Sequence, residues 1–193
     1  MSHVRLCVGL GNPGQTYAKT RHNVGVWWLE QAVSSLGGHF KEVNTCLGRL
    51  ARINVLDHSC FFLIPNTYMN ESGRAVLATC NYYKIPAKSV LIIQDELDFP
   101  PGTLRLKSGG GAGGHNGVKS VIQALKTDAL YRLRIGVGRP VGPGDRYVLA
   151  PPNAKDKQAI IDGIQESLTC LSALLTGEWD TVMRQLHRST GEA

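Results

Sequence analysis

The sequence predicts an α/β fold: a single-domain, three-layer α/β/α sandwich around a mixed, largely parallel central sheet, formed by residues 1–193 as one unit. The continuous apolar run Ser89–Ile93 (SVLII) has the pattern of a strand buried on both faces, and Leu133–Val137, preceded by Arg132 and containing Arg134, reads as another buried strand. Segments with apolar residues at helical spacing alternate with strands along the chain, which calls for helices on both sides of a sheet. Shorter strands with polar and apolar residues in alternation make that sheet mixed. No repeat, linker or low-complexity boundary divides the chain.

Val4–Leu10 reads as a buried strand that runs into the turn sequence GNPG. Val24–Leu36 has helical spacing (Val24, Trp27, Trp28, Ala32, Leu36) and stops at Gly37-Gly38. Arg49–Leu56 and Cys60–Ile64 read as strands on either side of an Asp-His-Ser turn. A helix is expected from about Glu71 to Lys84, with Asn70 able to serve as its N-cap. After Ser89–Ile93 the chain turns at Pro100-Pro101-Gly102 into a strand over about Thr103–Lys107. The loop Lys107–Gly117 follows and opens a short helix carrying Val118, Val121, Ile122 and Leu125. Pro140–Gly144 reads as loop, Lys155–Leu175 and Trp179–Leu186 as helices, and the last few residues as frayed.

Composition excludes several classes. With 42% hydrophobic and 19% charged residues the chain is an ordinary globule, and no apolar run approaches the ~18 residues of a membrane span. MSHVRLCVGLG reads as a first strand and not a signal peptide. Five scattered cysteines (Cys7, Cys46, Cys60, Cys80, Cys170) without a C-x-x-C pair fit free thiols in the cytoplasm, and their spacing to histidines suits no zinc site. Charge is uneven. Residues 101–150 hold eight Lys/Arg (Arg105, Lys107, Lys119, Lys126, Arg132, Arg134, Arg139, Arg146) against Asp128 and Asp145, which equals the whole net charge of +6. A positive segment so concentrated points to a polyanion such as nucleic acid.

Inside that segment lies KSGGGAGGHNG, from Lys107 to Gly117. A glycine loop that opens a helix can bind phosphate through free backbone N–H groups. Gly9–Gly14 also matches G-x-G-x-x-G, but Asn-Pro-Gly is turn chemistry and no acid ends a second strand where a ribose hydroxyl would need it, which argues against a dinucleotide enzyme. Asn12, His22, Asn70, Asp95 and Asn116 each fall just after a strand or before a helix, where α/β folds gather ligands. There is no G-x-S-x-G elbow and no H-E-x-x-H, so neither an acyl nucleophile nor a metal motif is evident. A histidine oriented by a carboxylate, with amides nearby to hold a carbonyl oxygen, suits attack of water on an ester.

The segments VGLGNPG with TRHNVG, PNTYMNESG, QDELDFPPG, GGGAGGHNG and LRIGVGRP occur in this order and closely resemble bacterial-type peptidyl-tRNA hydrolase over about residues 4–175. The resemblance implies cleavage of the ester between a peptide, or an N-blocked amino acid, and the terminal ribose of tRNA, by a cytoplasmic monomer without cofactor or metal. It implies His22 as catalytic base and Asp95 as its orienting partner. Asn12, Asn70 and Asn116 would position ester and water, while Tyr17, Met69 and His115 would line the cleft for the peptide and the CCA end. Lys107 and Arg134 would clamp the 5′-terminal phosphate of the acceptor stem. The glycine loop then becomes a gate that delivers His115 and Asn116. Two departures stand out: Ala112 replaces a histidine common in the family, and a shortened Gly138–Tyr147 leaves both Arg139 and Arg146 as candidates for tRNA contact. A non-catalytic RNA-binding protein on the same scaffold is the alternative reading.

Overall fold

The structure, a computed structural model, describes residues 3–188. Seven strands form one sheet: β1 (Leu6–Gly9), β2 (Lys41–Val43), β3 (Gly48–Val55), β4 (His58–Pro65), β5 (Val90–Glu96), β6 (Leu104–Ser108) and β7 (Tyr131–Gly136). Their order is β2-β3-β4-β1-β5-β7-β6. The central strands β4, β1, β5 and β7 run parallel. At the flanks β2–β3, β3–β4 and β6–β7 pair antiparallel. The sheet is therefore mixed with a parallel centre, as expected.

Strands β1 and β5 carry apolar residues on both faces and need cover on both. Cys7, Leu91 and Ile93 pack under α1 (Val24–Ser35), α5 (Ala154–Leu168), α6 (Leu171–Thr176) and α7 (Trp179–Arg188). Leu6, Val8 and Ile92 pack under α2 (Ser72–Tyr83) and α3 (Asn116–Leu125). The result is the expected three-layer sandwich. All five cysteines are free and buried. Among the described residues no helix is long and apolar enough to cross a membrane.

Several elements differ from expectation. β2 has only three residues, two of them charged, too few to show alternation. The segment after Pro143 forms a one-turn helix, α4 (Gly144–Val148), too short to show a period. The helix expected over 155–175 breaks at Thr169-Cys170, where Ser167, Thr169 and Cys170 each bond back to a carbonyl three residues earlier. Such bonds compete with the helical ladder and bend it. Asn70 does not cap α2, because a 3-10 turn at Met69–Glu71 precedes that helix and Glu71 takes the cap position. The fraying expected at the C-terminus concerns residues outside those described.

One close approach sets the site. A Cβ on Gly25 of α1 would lie 2.4 Å from the Ile93 carbonyl oxygen of β5, and one on Gly9 would lie 2.6 Å from the Gly25 oxygen. The first turn of α1 can therefore press against β1 and β5 at backbone distance. That brings the Arg21–Asn23 turn, just ahead of α1, over the end of β5. Gly25→Ala should destabilise the protein by about 1–3 kcal/mol through overpacking, measured by urea denaturation.

Candidate active site

The carboxyl ends of β1, β4 and β5 open on a cavity of about 460 Å³, roofed by the glycine loop. Asp95, the last residue but one of β5, is 4% exposed. The turn before α1 supplies His22, whose Nδ1 lies 2.9 Å from Asp95 Oδ1. The glycine loop supplies His115, whose Nε2 lies 2.8 Å from the same oxygen. The backbone N–H groups of Gly117 and Val118 donate to His115 Nδ1 at 3.2 and 3.3 Å.

These contacts fix the protons. His115 Nδ1 accepts, so its proton resides on Nε2 and is donated to Asp95. An ionised carboxylate only accepts, so His22 Nδ1 also donates, and the lone pair of His22 sits on Nε2. Burial alone would raise the Asp95 pKa, but His115 and His22 together outweigh it and hold the carboxyl well below the ordinary range. Asp95 is thus a permanent anion beneath two imidazoles.

Asn12, on the turn after β1, is held at three points. Its N–H donates to Asn23 Oδ1 and its carbonyl accepts from Asn23 Nδ2, both at 2.9 Å. Its Oδ1 accepts from the Met69 N–H at 2.7 Å. Only the side-chain NH₂ of Asn12 remains for a ligand. Asn23, 4% exposed, escapes sequence reasoning because its neighbour His22 draws the attention, although the Arg-His-Asn run contained it. Met69 is buried with its sulfur where a Cβ on Gly117 would intrude at 2.4 Å, so that glycine is fixed by packing.

All the expected site residues except Tyr17 line the cavity: His22, Asp95, Asn12, Met69, Asn70, His115, Asn116, Lys107 and Arg134. Tyr17 stands one ring away, edge-on to the cavity residue Tyr68 with centroids 6.4 Å apart. At the far end, Lys107 on β6 and Arg134 on β7 project from neighbouring strands. Arg134 contacts Glu96 at 3.4 Å and lies over the Phe99 ring, while Lys107 has no partner among the described residues. Arg139 borders the cavity but is paired with Asp98, and Arg146 is not part of the lining. Arg132 is nearly sealed, 3% exposed, and donates to the carbonyls of Gly109, Gly110 and Gly111. The charge count marked it as basic but not as internal.

Among the described residues the fold creates two groups with ligand atoms close enough for one metal ion, His22/Asp95/His115 and His3/Asp57/His58, each joining residues from separate parts of the chain. In the first, both imidazole protons are directed at the shared oxygen; in the second, the His3 and His58 rings stack with centroids 4.4 Å apart. No cysteine lines the cavity, and burial raises the thiols of Cys7, Cys80 and Cys170, that of Cys80 to about 11. A histidine that lines the cavity with its Nδ1 held by a buried carboxylate is the kind of group that hydrolysis by activated water calls for.

Comparison with known proteins narrows the class. The chain matches the family Peptidyl-tRNA hydrolase over residues 6–193. It is 46% identical over 187 residues to peptidyl-tRNA hydrolases of Coxiella burnetii, covering 95% of this chain and 97% of the relative, and of Methylococcus capsulatus, covering 95% and 99%. A crystal structure of peptidyl-tRNA hydrolase from Acinetobacter baumannii superposes with a TM-score of 0.92 at 38% identity, covering 96% of this chain and 95% of that one. The chain belongs to the peptidyl-tRNA hydrolase family.

Because the Asp95 pKa is depressed, its contribution to stability is complete above the ordinary aspartate value of about 3.9 and is lost only as pH falls through the lower folded value. Carbon NMR of the Asp95 carboxyl should therefore show no protonation step from pH 8 down to about pH 4.

Proposed function

We propose that the protein hydrolyses the ester between the acyl group and the terminal ribose of peptidyl-tRNA, with His22 as general base. The observation that carries this reading is the double hydrogen bond on Asp95 Oδ1, which leaves His22 Nε2 as a lone pair directed by a fixed anion. In the reaction His22 Nε2 takes a proton from water, and the resulting hydroxide adds to the ester carbonyl. Asp95 stabilises the imidazolium as it forms and stays ionised throughout. The Asn12 NH₂, held from three sides, and the Asn116 amide at the start of α3 are the donors for the developing oxyanion. Collapse returns the proton from His22 to the ribose oxygen and releases tRNA and the free acid.

Nine residues of the cavity thus divide between two ends. Met69, with the exposed Asn70 beside it, borders the reacting end, where the terminal nucleotide and the acyl chain would lie; Tyr17 supports that wall through Tyr68. Lys107 and Arg134 form the cationic end and would take an acceptor-stem phosphate. The protein acts in this reading as a monomer.

Wild-type protein should release tRNA from N-acetyl-aminoacyl-tRNA, and His22→Ala should lower kcat by about 10²–10⁴-fold with little change in tRNA affinity. Full activity in that variant would remove His22 from the mechanism. Asp95→Asn, which forces a different tautomer on His22, should cost up to about 10⁴-fold. Lys107→Ala should weaken tRNA binding and reduce the log–log salt slope by about 0.7–0.9, the release of one counterion.

A further inference from the structure

Arg132 lies on β7 directly opposite Lys107 of β6, in the segment that carries the excess of positive charge. Its environment is nevertheless unlike that of Lys107. The guanidinium is buried beneath the glycine loop, where Nη2 donates to the Gly109 and Gly110 carbonyls at 2.8 and 2.9 Å and Nη1 donates to the Gly111 carbonyl at 3.0 Å. Three successive carbonyls can face one cation only if the chain curls, and Gly109 and Gly110 have φ of +66° and +85°, a region costly for any side chain. Each such bond involves a charged donor and is stronger than a neutral one. Burial lowers the arginine's pKa, and the nearby Arg134 charge adds to that, yet the group remains a cation at any working pH.

From the loop the connection to the reacting atoms is continuous. The loop ends in His115, which caps α3 with Nδ1 and grips Asp95 with Nε2. Asp95 in turn orients His22. Without Arg132, the Gly109–Gly111 carbonyls would lose their shared donor, and a segment of consecutive glycines has little intrinsic preference for one path.

We propose that Arg132 is a positioning residue for the hydrolysis: by gathering the carbonyls of Gly109–Gly111 it sets the glycine loop, and thereby the His115–Asp95–His22 alignment, and it does not contact tRNA phosphate. The proposal rests on the reading of His22 and Asp95 as the catalytic pair. It separates Arg132, which serves the protein interior, from Lys107 and Arg134, which would face the nucleic acid.

The test compares wild type with Arg132→Ala and Arg132→Lys, using N-acetyl-aminoacyl-tRNA as substrate. Both variants should lose about 10–100-fold in kcat, the range set by misplacement of a catalytic constellation by about 1 Å, while KM and the salt slope of tRNA binding stay at wild-type values. Amide hydrogen exchange across Gly109–Asn116 should accelerate in both, which reads loop release independently of turnover. Millimolar guanidinium should restore part of the kcat of Arg132→Ala, where sodium chloride of equal ionic strength does not. Should Arg132→Ala fail to fold, Arg132→Lys, which keeps the charge but not the fork of donors, carries the same readouts. A salt slope reduced by about 0.7–0.9 with raised KM would make Arg132 a phosphate contact and overturn the proposal. So would wild-type kcat in a folded variant whose loop exchanges faster. Failure of the underlying reading is separate: it would show as full activity in His22→Ala, whatever the Arg132 variants do.

Discussion

Much of the site depends on one oxygen. Asp95 Oδ1 receives hydrogen bonds from two neighbouring imidazoles, one from the turn before α1 and one from the end of the glycine loop. Burying a carboxylate costs several kcal/mol, and two bonds to a charged acceptor, each about 1.5–3 kcal/mol, offset much of that. The charge is therefore tolerable only while both histidines are in place. Loop, helix and strand are coupled through this requirement, so the geometry of the base cannot be separated from the path of the loop.

The scaffold makes this coupling precise through backbone contact. Gly9 and Gly25 let α1 sit against β1 and β5 with no side chain between them, and the Leu10 N–H bonds directly to the Ile93 carbonyl. Asn23 then ties the turn before α1 to the turn after β1 by two hydrogen bonds, which places Asn12 relative to His22. His22 and Asn12 are thus placed by the same buried asparagine. A site preorganised in this way spends no reorganisation energy when charge develops in the transition state.

How much of this was legible follows from which signals are local. The buried strands β5 and β7 and the helices α1 and α3 announce themselves by apolar pattern, and the polar residues at their ends mark the open side of the sheet. β2 and α4 are too short for any period to show, and the break between α5 and α6 depends on three side chains that fold back on their own helix. Partnership is not local at all. The sequence shows His22 and Asp95 as candidates, but that His115 shares the same oxygen, that Asn23 braces Asn12 and that Arg132 lies inside the loop are consequences of chain crossings at separations of 11 to 73 residues.

The glycine loop illustrates why local pattern misleads. Glycines ahead of a helix suggest an anion held by free N–H groups at the positive end of the helix dipole. Here the N–H groups of Gly117 and Val118 are already occupied by the His115 ring, so the start of α3 has its acceptor built in. The dipole still acts, but on the protein's own anion: the positive end of α3 is directed, through His115, towards Asp95. Gly109 and Gly110 serve a different purpose, turning their carbonyls down onto Arg132, so that this part of the loop presents acceptors to a buried cation. The cation at this edge of the cavity that has no partner among the described residues is the Lys107 ammonium, with Arg134 beside it, and the glycine loop lies between these two side chains and the histidines.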